Sequence, residues 1–263
     1  MNDARPVGDF GRLEVRIIRK AFVAVSGERA DVLRDVHFGL DRGLIGVLVG
    51  PSGCGKTTTL RIIAGLDLDY QGSIVRPAAG RLGVVFQEPR LLPWRTVEDN
   101  VRLVAPGADP AKLATLFDVL ELTHHRSHYP GELSLGLARR VALARALAVA
   151  PDILLLDEPF VSLDDALAAR LRDELVTLVD NRALTTLMVT HDIDEAVRLA
   201  DRLFLLSARP ARILAEVPIA TPRAARTTAD IASIKAEIAR QLGAATGITS
   251  TGCQCGSGQE IAR

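Results

Sequence analysis

Apolar positions along this chain recur in two rhythms, short continuous runs of four to six residues and longer stretches with one apolar position per helical turn. Apolar and polar residues alternate over residues 13–18 and 33–40, which predicts two antiparallel strands near the start. The run Leu44-Ile45-Gly46-Val47-Leu48-Val49 predicts a buried central strand. Gly50-Pro51-Ser52-Gly53 breaks it, and a helix is expected over residues 56–64. Further buried strands are expected over residues 82–86, 153–156, 186–189 and 203–206. Strands alternating with helices in this way predict an α/β fold around a mostly parallel sheet.

From Glu88 to about Ala150 the rhythm is helical only, with helices expected over residues 97–103, 112–120 and 135–148. That block reads as a helical subdomain, residues 88–150, inserted into one α/β domain spanning 12–222. Beyond it, Ile231, Ile234, Ile238 and Leu242 share one face of an expected amphipathic helix, and the last twenty residues, rich in Gly, Thr and Ser, are expected to form a mobile tail within the segment 223–263.

Composition narrows the function classes. The 263 residues carry 32 Lys+Arg against 32 Asp+Glu, so no global positive field holds nucleic acid, and no nucleic-acid partner is expected. The apolar runs fall far short of the roughly 20 residues that cross a bilayer, so work at a membrane requires other chains to span it. An acidic residue and a proline near the start, Asp3 and Pro6, stand where a secretory signal needs an apolar run. Three cysteines, Cys54, Cys253 and Cys255, are too few for a disulfide scaffold and fit a reducing compartment.

The segment Gly50-Pro51-Ser52-Gly53-Cys54-Gly55-Lys56-Thr57 fits G-x-x-x-x-G-K-[ST] between a strand and a helix. Backbone N–H groups in such a loop turn inward around phosphates, the helix start adds partial positive charge, Lys56 reaches the β- and γ-phosphates, and the Thr57 hydroxyl suits Mg²⁺. Ile153-Leu154-Leu155-Leu156-Asp157-Glu158 is an apolar strand ending in two acids. Asp157 there can hold Mg²⁺ through water, and Glu158 can orient or deprotonate an attacking water.

Gln87 follows a strand and carries an amide able to sense both metal and water. Ser134 in Leu133-Ser134-Leu135-Gly136-Leu137 is placed as the N-cap of a long helix, a second anion site. His191, at a strand end, can hydrogen-bond a γ-phosphate oxygen. His124, His125 and His128 lack a matching acid or thiol cluster and read as a solvated turn, and Cys253 with Cys255 supplies only two thiols.

The ordered set Phe22, Gly50 to Thr57, Gln87, Leu133 to Gly136, Asp157-Glu158, Ser162-Leu163-Asp164 and His191 resembles the ATP-binding subunit of an ABC transporter, over residues 12–217. The spacings agree: 31 residues from Lys56 to Gln87, 47 on to Ser134, 23 on to Asp157, and 33 from Glu158 to His191. Two segments, Phe86-Gln87-Glu88-Pro89-Arg90-Leu91-Leu92-Pro93-Trp94 and Ser207-Ala208-Arg209-Pro210-Ala211-Arg212-Ile213, are similar to the nitrate/sulfonate/taurine group of bacterial importers.

The resemblance implies a P-loop ATPase core with an N-terminal antiparallel β subdomain and the helical insertion. It implies ATP and Mg²⁺ as cofactors, with Phe22 stacking on adenine and residues Gly50 to Thr58 around the phosphates. Mg²⁺ would be held by Thr57, Gln87 and Asp157. Glu158, His191 and Gln87 become the catalytic set. Ser134 and Gly136 would grip the γ-phosphate bound to an opposite subunit, which Ser162-Leu163-Asp164 would contact.

The implied partners are a second ATPase subunit, expected to be an identical copy, transmembrane permease subunits and, indirectly, a periplasmic solute-binding protein. The place of work would be the cytoplasmic face of the membrane. A soluble ABC-type ATPase without a permease is the alternative. One departure stands out: the family's LSGGQ is LSLGL here, with Leu135 and Leu137 replacing a glycine and the glutamine. Leu91, Leu92 and Trp94 are expected to meet the permease.

Overall fold

The computed structural model describes residues 11–23, 27–77, 80–161, 163 and 165–246. Two sheets organise them. Strands β1 (Leu13–Val23), β2 (Arg29–Leu40) and β4 (Gln71–Val75) form an antiparallel sheet in the order β2-β1-β4. Leu13, Val15 and Ile17 point to its buried face while Arg16 between them and Ile18 beyond them are exposed, as the period of two requires.

The second sheet orders six strands as β5-β6-β7-β3-β8-β9, from β3 (Ile45–Val49), β5 (Leu82–Val85), β6 (Ile153–Asp157), β7 (Thr185–Thr190), β8 (Arg202–Leu206) and β9 (Ile213–Pro218). The first five run parallel and β9 is antiparallel to β8. Every residue of β3, β6 and β7 is buried, because helices or the other sheet cover both faces, and this produces runs of apolar residues rather than alternation.

Helices α1 (Lys56–Ile63), α2 (Val97–Arg102), α3 (Pro110–Val119), α4 (Leu135–Ala148), α5 (Asp165–Arg182), α6 (Ile193–Leu199) and α7 (Thr228–Thr246) complete the fold. In the segment after β5 each α-helix starts on a side-chain cap. Thr96 Oγ1 accepts from Asp99 N, Asp109 Oδ1 from Ala111 N, and Ser134 Oγ from Leu137 N.

One core fills the space between the antiparallel sheet, α1 and one face of the six strands, where the Phe38 and Phe204 rings meet at 4.6 Å. The other lies on the opposite face under α4, α5, α6 and α7. On α7, Ile231, Ile234, Ile238 and Leu242 pack onto that core, as their spacing predicts.

The hydrophobic pattern does not announce β4, α5, α6 and β9. Most of β4 and β9 is exposed or half-buried, and each strand pairs only at a sheet edge. In α5 the buried residues Ala168, Leu171, Leu175 and Val179 fall once per turn among charges, a sparse signal. Strands β1 and β2 run beyond the alternating stretches, while β5 stops at Val85, so Phe86 and Gln87 lie past its end.

Candidate functional site

The carboxyl ends of the parallel strands β3, β6, β7 and β8 lie along the same edge of the sheet, which is where an open parallel sheet leaves a crevice. The loop from β3 into α1 lines a pocket of about 310 Å³ through Ser52, Gly53, Gly55, Lys56, Thr57 and Thr58, and Gln87, Glu158 and Arg209 close its sides. Gly55 has φ +126°, and a Cβ there would lie 2.6 Å from Leu33 Cδ2, so backbone conformation and packing against β2 both exclude a side chain. Cys54 is buried, which raises its thiol pKa and leaves only its backbone to face the pocket chemistry.

Lys56 is buried, and its Nζ donates to the carbonyls of Gly50 at 2.7 Å and Pro51 at 3.0 Å. The ammonium thus folds back over the loop it belongs to. Thr57 Oγ1 donates to Asp157 Oδ1 at 3.1 Å, joining the start of α1 to the end of β6. Burial raises the Asp157 pKa and the neighbouring Glu158 charge adds to it, against the Thr57 hydrogen bond and the Lys56 charge. A hydroxyl and a carboxylate side by side in a buried wall form an oxygen donor set suited to Mg²⁺.

Glu158 follows with φ +47°, an uncommon conformation for a side-chain-bearing residue, and its N–H donates to Val189 O at 3.0 Å. The turn aims its carboxylate into the crevice. There Gln87 Nε2 donates to Oε2 at 3.3 Å, and His191 Nδ1 lies 3.1 Å from Oε1. The carboxylate accepts, so the imidazole carries a proton on Nδ1, and this contact leaves Nε2 unused. Three side chains from the ends of three strands therefore form one hydrogen-bonded unit beside the phosphate loop.

Other anticipated residues lie elsewhere. Phe22 sits on β1 opposite Ala30, with the Lys20 ammonium 4.7 Å from its ring centroid, and does not line the pocket. Ser134 and Gly136 stand at the start of α4 and do not line it either; Leu135 between them is 50% exposed. Ser162 and Asp164 lie outside the described residues, as do Cys253 and Cys255. Leu91 packs against the core, whereas Trp94 is 71% exposed.

The family model described as "ABC transporter" matches residues 33–161. The chain is 43% identical over 233 residues to the aliphatic sulfonates import ATP-binding protein SsuB 2 of Pseudomonas syringae pv. tomato, covering 88% of this chain and 97% of that one. The chain belongs to the ABC transporter family.

The corresponding SsuB of Bacillus subtilis is 41% identical over 85% of this chain and 91% of its own length. Among solved structures, the dimeric ABC cassette MJ0796 in a post-hydrolysis state with ADP and Pi superposes with a TM-score of 0.70 at 27% identity, covering 80% of this chain and all of that one. The fold is thus that of an ABC ATPase cassette, and the chemistry of the family is ATP hydrolysis. Among the described residues, no helix of this ABC subunit is long and apolar enough to cross a membrane.

Four side chains around this ABC site escaped motif reasoning. Lys20 is buried on β1 and donates to Asp67 Oδ1 at 2.8 Å and Asp69 O at 2.7 Å, tying the antiparallel sheet to the segment after α1. Arg145 on α4 donates to the carbonyls of Arg90 at 2.9 Å and Pro89 at 2.8 Å, just past Gln87. Arg139, also on α4, is buried with Nε and Nη1 unpartnered; burial lowers its pKa, opposed by the Glu158 charge. Arg209 lies in the segment from Ser207 to Ile213, but nothing in its spacing says that it faces the phosphate loop.

Proposed function

We propose that this chain is the ATPase subunit of an importer for a small sulfonate-like anion, and that two identical copies close around two ATP to drive separate permease subunits. The observation that carries the catalytic part is Glu158 held by His191 and Gln87 beside Lys56. Glu158 takes a proton from, or aligns, the water that attacks the γ-phosphate in line. Lys56 exchanges its carbonyl partners for β- and γ-phosphate oxygens. His191, half exposed, donates to the γ-phosphate from Nε2 when it carries a proton on both ring nitrogens, with Nδ1–H still held by Glu158.

Thr57 and Asp157, with Gln87 close by, hold Mg²⁺, which when bound neutralises developing phosphate charge. Phe22, on the sheet whose β2 touches Gly55, stacks on adenine. Ser134 and Gly136 lie away from this chain's own phosphate loop, as expected if they complete the site of a partner copy, with Ser162-Leu163-Asp164 contacting that copy.

The helical residues 88–150 act as a subdomain that receives the permease. Trp94 presents a large apolar surface close in sequence to Gln87, and an apolar groove of about 1020 Å³ runs between Val104, Leu113, Leu116 and the start of β5. A protein placed in this way works on the cytoplasmic face of the membrane, with a periplasmic binding protein delivering the solute across it. The named sulfonate importers among its relatives support the choice of solute class.

Transport tests the whole reading. Cells lacking this chain should lose growth on an alkanesulfonate as sole sulfur source and keep growth on sulfate. Undiminished growth on the sulfonate removes the solute assignment.

A further inference from the structure

We propose that Arg209 is a second phosphate-binding cation, gripping β- and γ-phosphate oxygens from the flank of the loop opposite Glu158. Glu158 lies at the end of β6, on one side of β3 in the sheet; Arg209 follows β8, on the other side. Both line the pocket of Lys56, so the phosphate chain runs between a carboxylate on one flank and a guanidinium on the other. The assignment rests on the reading of this pocket as an ATP site and adds to it a residue outside the phosphate-loop motif.

Its loop is braced on either side of Arg209. Ser207 N donates to Arg212 O at 3.0 Å, Arg212 N donates to Ser207 Oγ at 3.0 Å, and Ser207 Oγ donates to Ala208 O at 2.7 Å. Ala211 then bridges to β2, donating to Val32 O at 2.8 Å and accepting from Arg34 N at 2.9 Å. The turn is thereby clamped between the hairpin of β8 and β9 and the antiparallel sheet, directly against the phosphate loop.

The guanidinium, by contrast, is free: among the described residues Arg209 makes no hydrogen bond or ion pair, although its charge is felt at Cys54 inside the loop. Its neighbours Arg212 and Ala211 are fixed by backbone bonds, so the turn is ordered without help from this side chain. A guanidinium with all its donors unused, on a braced turn and lining the pocket of Lys56, suits the forked recognition of a phosphate. Lysine in the same place keeps the charge and loses the fork.

Binding of ATP, ADP and AMP to the full chain in a Glu158→Gln background, where ATP survives, tests the assignment with Arg209→Ala and Arg209→Lys. Arg209→Ala should weaken ATP about tenfold, ADP by less, and AMP not at all, with Arg209→Lys intermediate and the thermal midpoint unchanged. An ATP affinity within twofold of the parent, or equal loss for AMP, overturns it. Lys56→Ala in the same series separates this from failure of the site itself. If Lys56→Ala loses ATP and Arg209→Ala keeps it, Arg209 alone is excluded; if both keep it, the pocket is not the ATP site and the assignment falls with it.

Discussion

His191 Nδ1 and Glu158 Oε1 stand 3.1 Å apart, and Gln87 holds the other oxygen of the same carboxylate. The histidine comes from the end of β7 and the acid from the end of β6, so the parallel pairing of these two strands sets their spacing. Glu158→Gln keeps shape and hydrogen bonding on one side while removing the base. ATP binding should persist while turnover in the assembled transporter drops by ~10²-fold or more. His191→Ala should lower turnover too without restoring it in the double variant. Phosphate-release assays give both numbers, and near-normal turnover of Glu158→Gln takes this residue out of the chemistry.

Asp157 illustrates what the site costs the fold. Burial raises its pKa above the ordinary value of 3.8, so the folded chain binds the proton more tightly than the unfolded one. Between the unfolded and folded pKa values stability therefore falls as pH rises. The penalty is complete above the folded pKa and absent below the unfolded one.

Asp157→Asn keeps an acceptor for Thr57 and removes the charge. Without nucleotide it should melt higher than the parent at pH 7.5 by on the order of 1 kcal/mol, about 2–4 °C, with the gap closing as pH falls toward 4. A variant that melts lower at pH 7.5 contradicts this.

The loop that presents Trp94 is tied to α2 through one amide side chain. Asn100 is fully buried on α2; its Oδ1 accepts from Leu92 N at 2.8 Å, and its Nδ2 donates to the carbonyls of Leu92, Arg95 and Thr96 at 3.2, 3.1 and 2.9 Å. Asn100→Asp turns the donating end into a carboxylate facing those carbonyls. We expect a loss of about 2–4 kcal/mol in denaturant unfolding, and weaker assembly with the permease. Asn100→Asp with parental stability shows that the loop is held by other contacts.

Sequence and structure agree best where one short segment carries its own signal. The phosphate loop, the apolar β6 ending in Asp157-Glu158, and the Ser134 cap of α4 each announce themselves within a dozen residues, through glycine spacing, burial on both faces, or cap chemistry. What stayed hidden depends on long-range contact. Lys20 reads as an ordinary strand lysine until Asp67 and Asp69 fold over it, and Arg145 as a helix surface residue until the carbonyls of Pro89 and Arg90 arrive. Arg209 faces the phosphate loop only because β8 lies beside β3, a neighbour relation between strands that are more than 150 residues apart. Strand β4 is legible only through its pairing with β1, since four of its five residues are exposed.

Leu135 is the departure with most consequence for assembly. It is the first residue of α4 and half exposed beside Ser134, so it presents an apolar side chain where the family has glycine. Leu135 has no positive φ, so the backbone needs no glycine there, and Leu135→Gly should destabilise the monomer by roughly 0.5–1 kcal/mol. If two copies pair with Leu135 in place, the phosphate is met by Ser134 and by the N–H groups of α4, not by close approach at residue 135.

The mass of the Glu158→Gln protein in solution, measured by light scattering with saturating ATP and Mg²⁺, with ADP, and with no nucleotide, tests most directly whether this chain is an ATPase that pairs with itself around ATP. Twice the chain mass with ATP and Mg²⁺, and the single-chain mass in the other two conditions, is the expected result. A single-chain mass with ATP bound, becoming double only after Leu135→Gly, contradicts it and assigns the opposite half of the site to a different subunit.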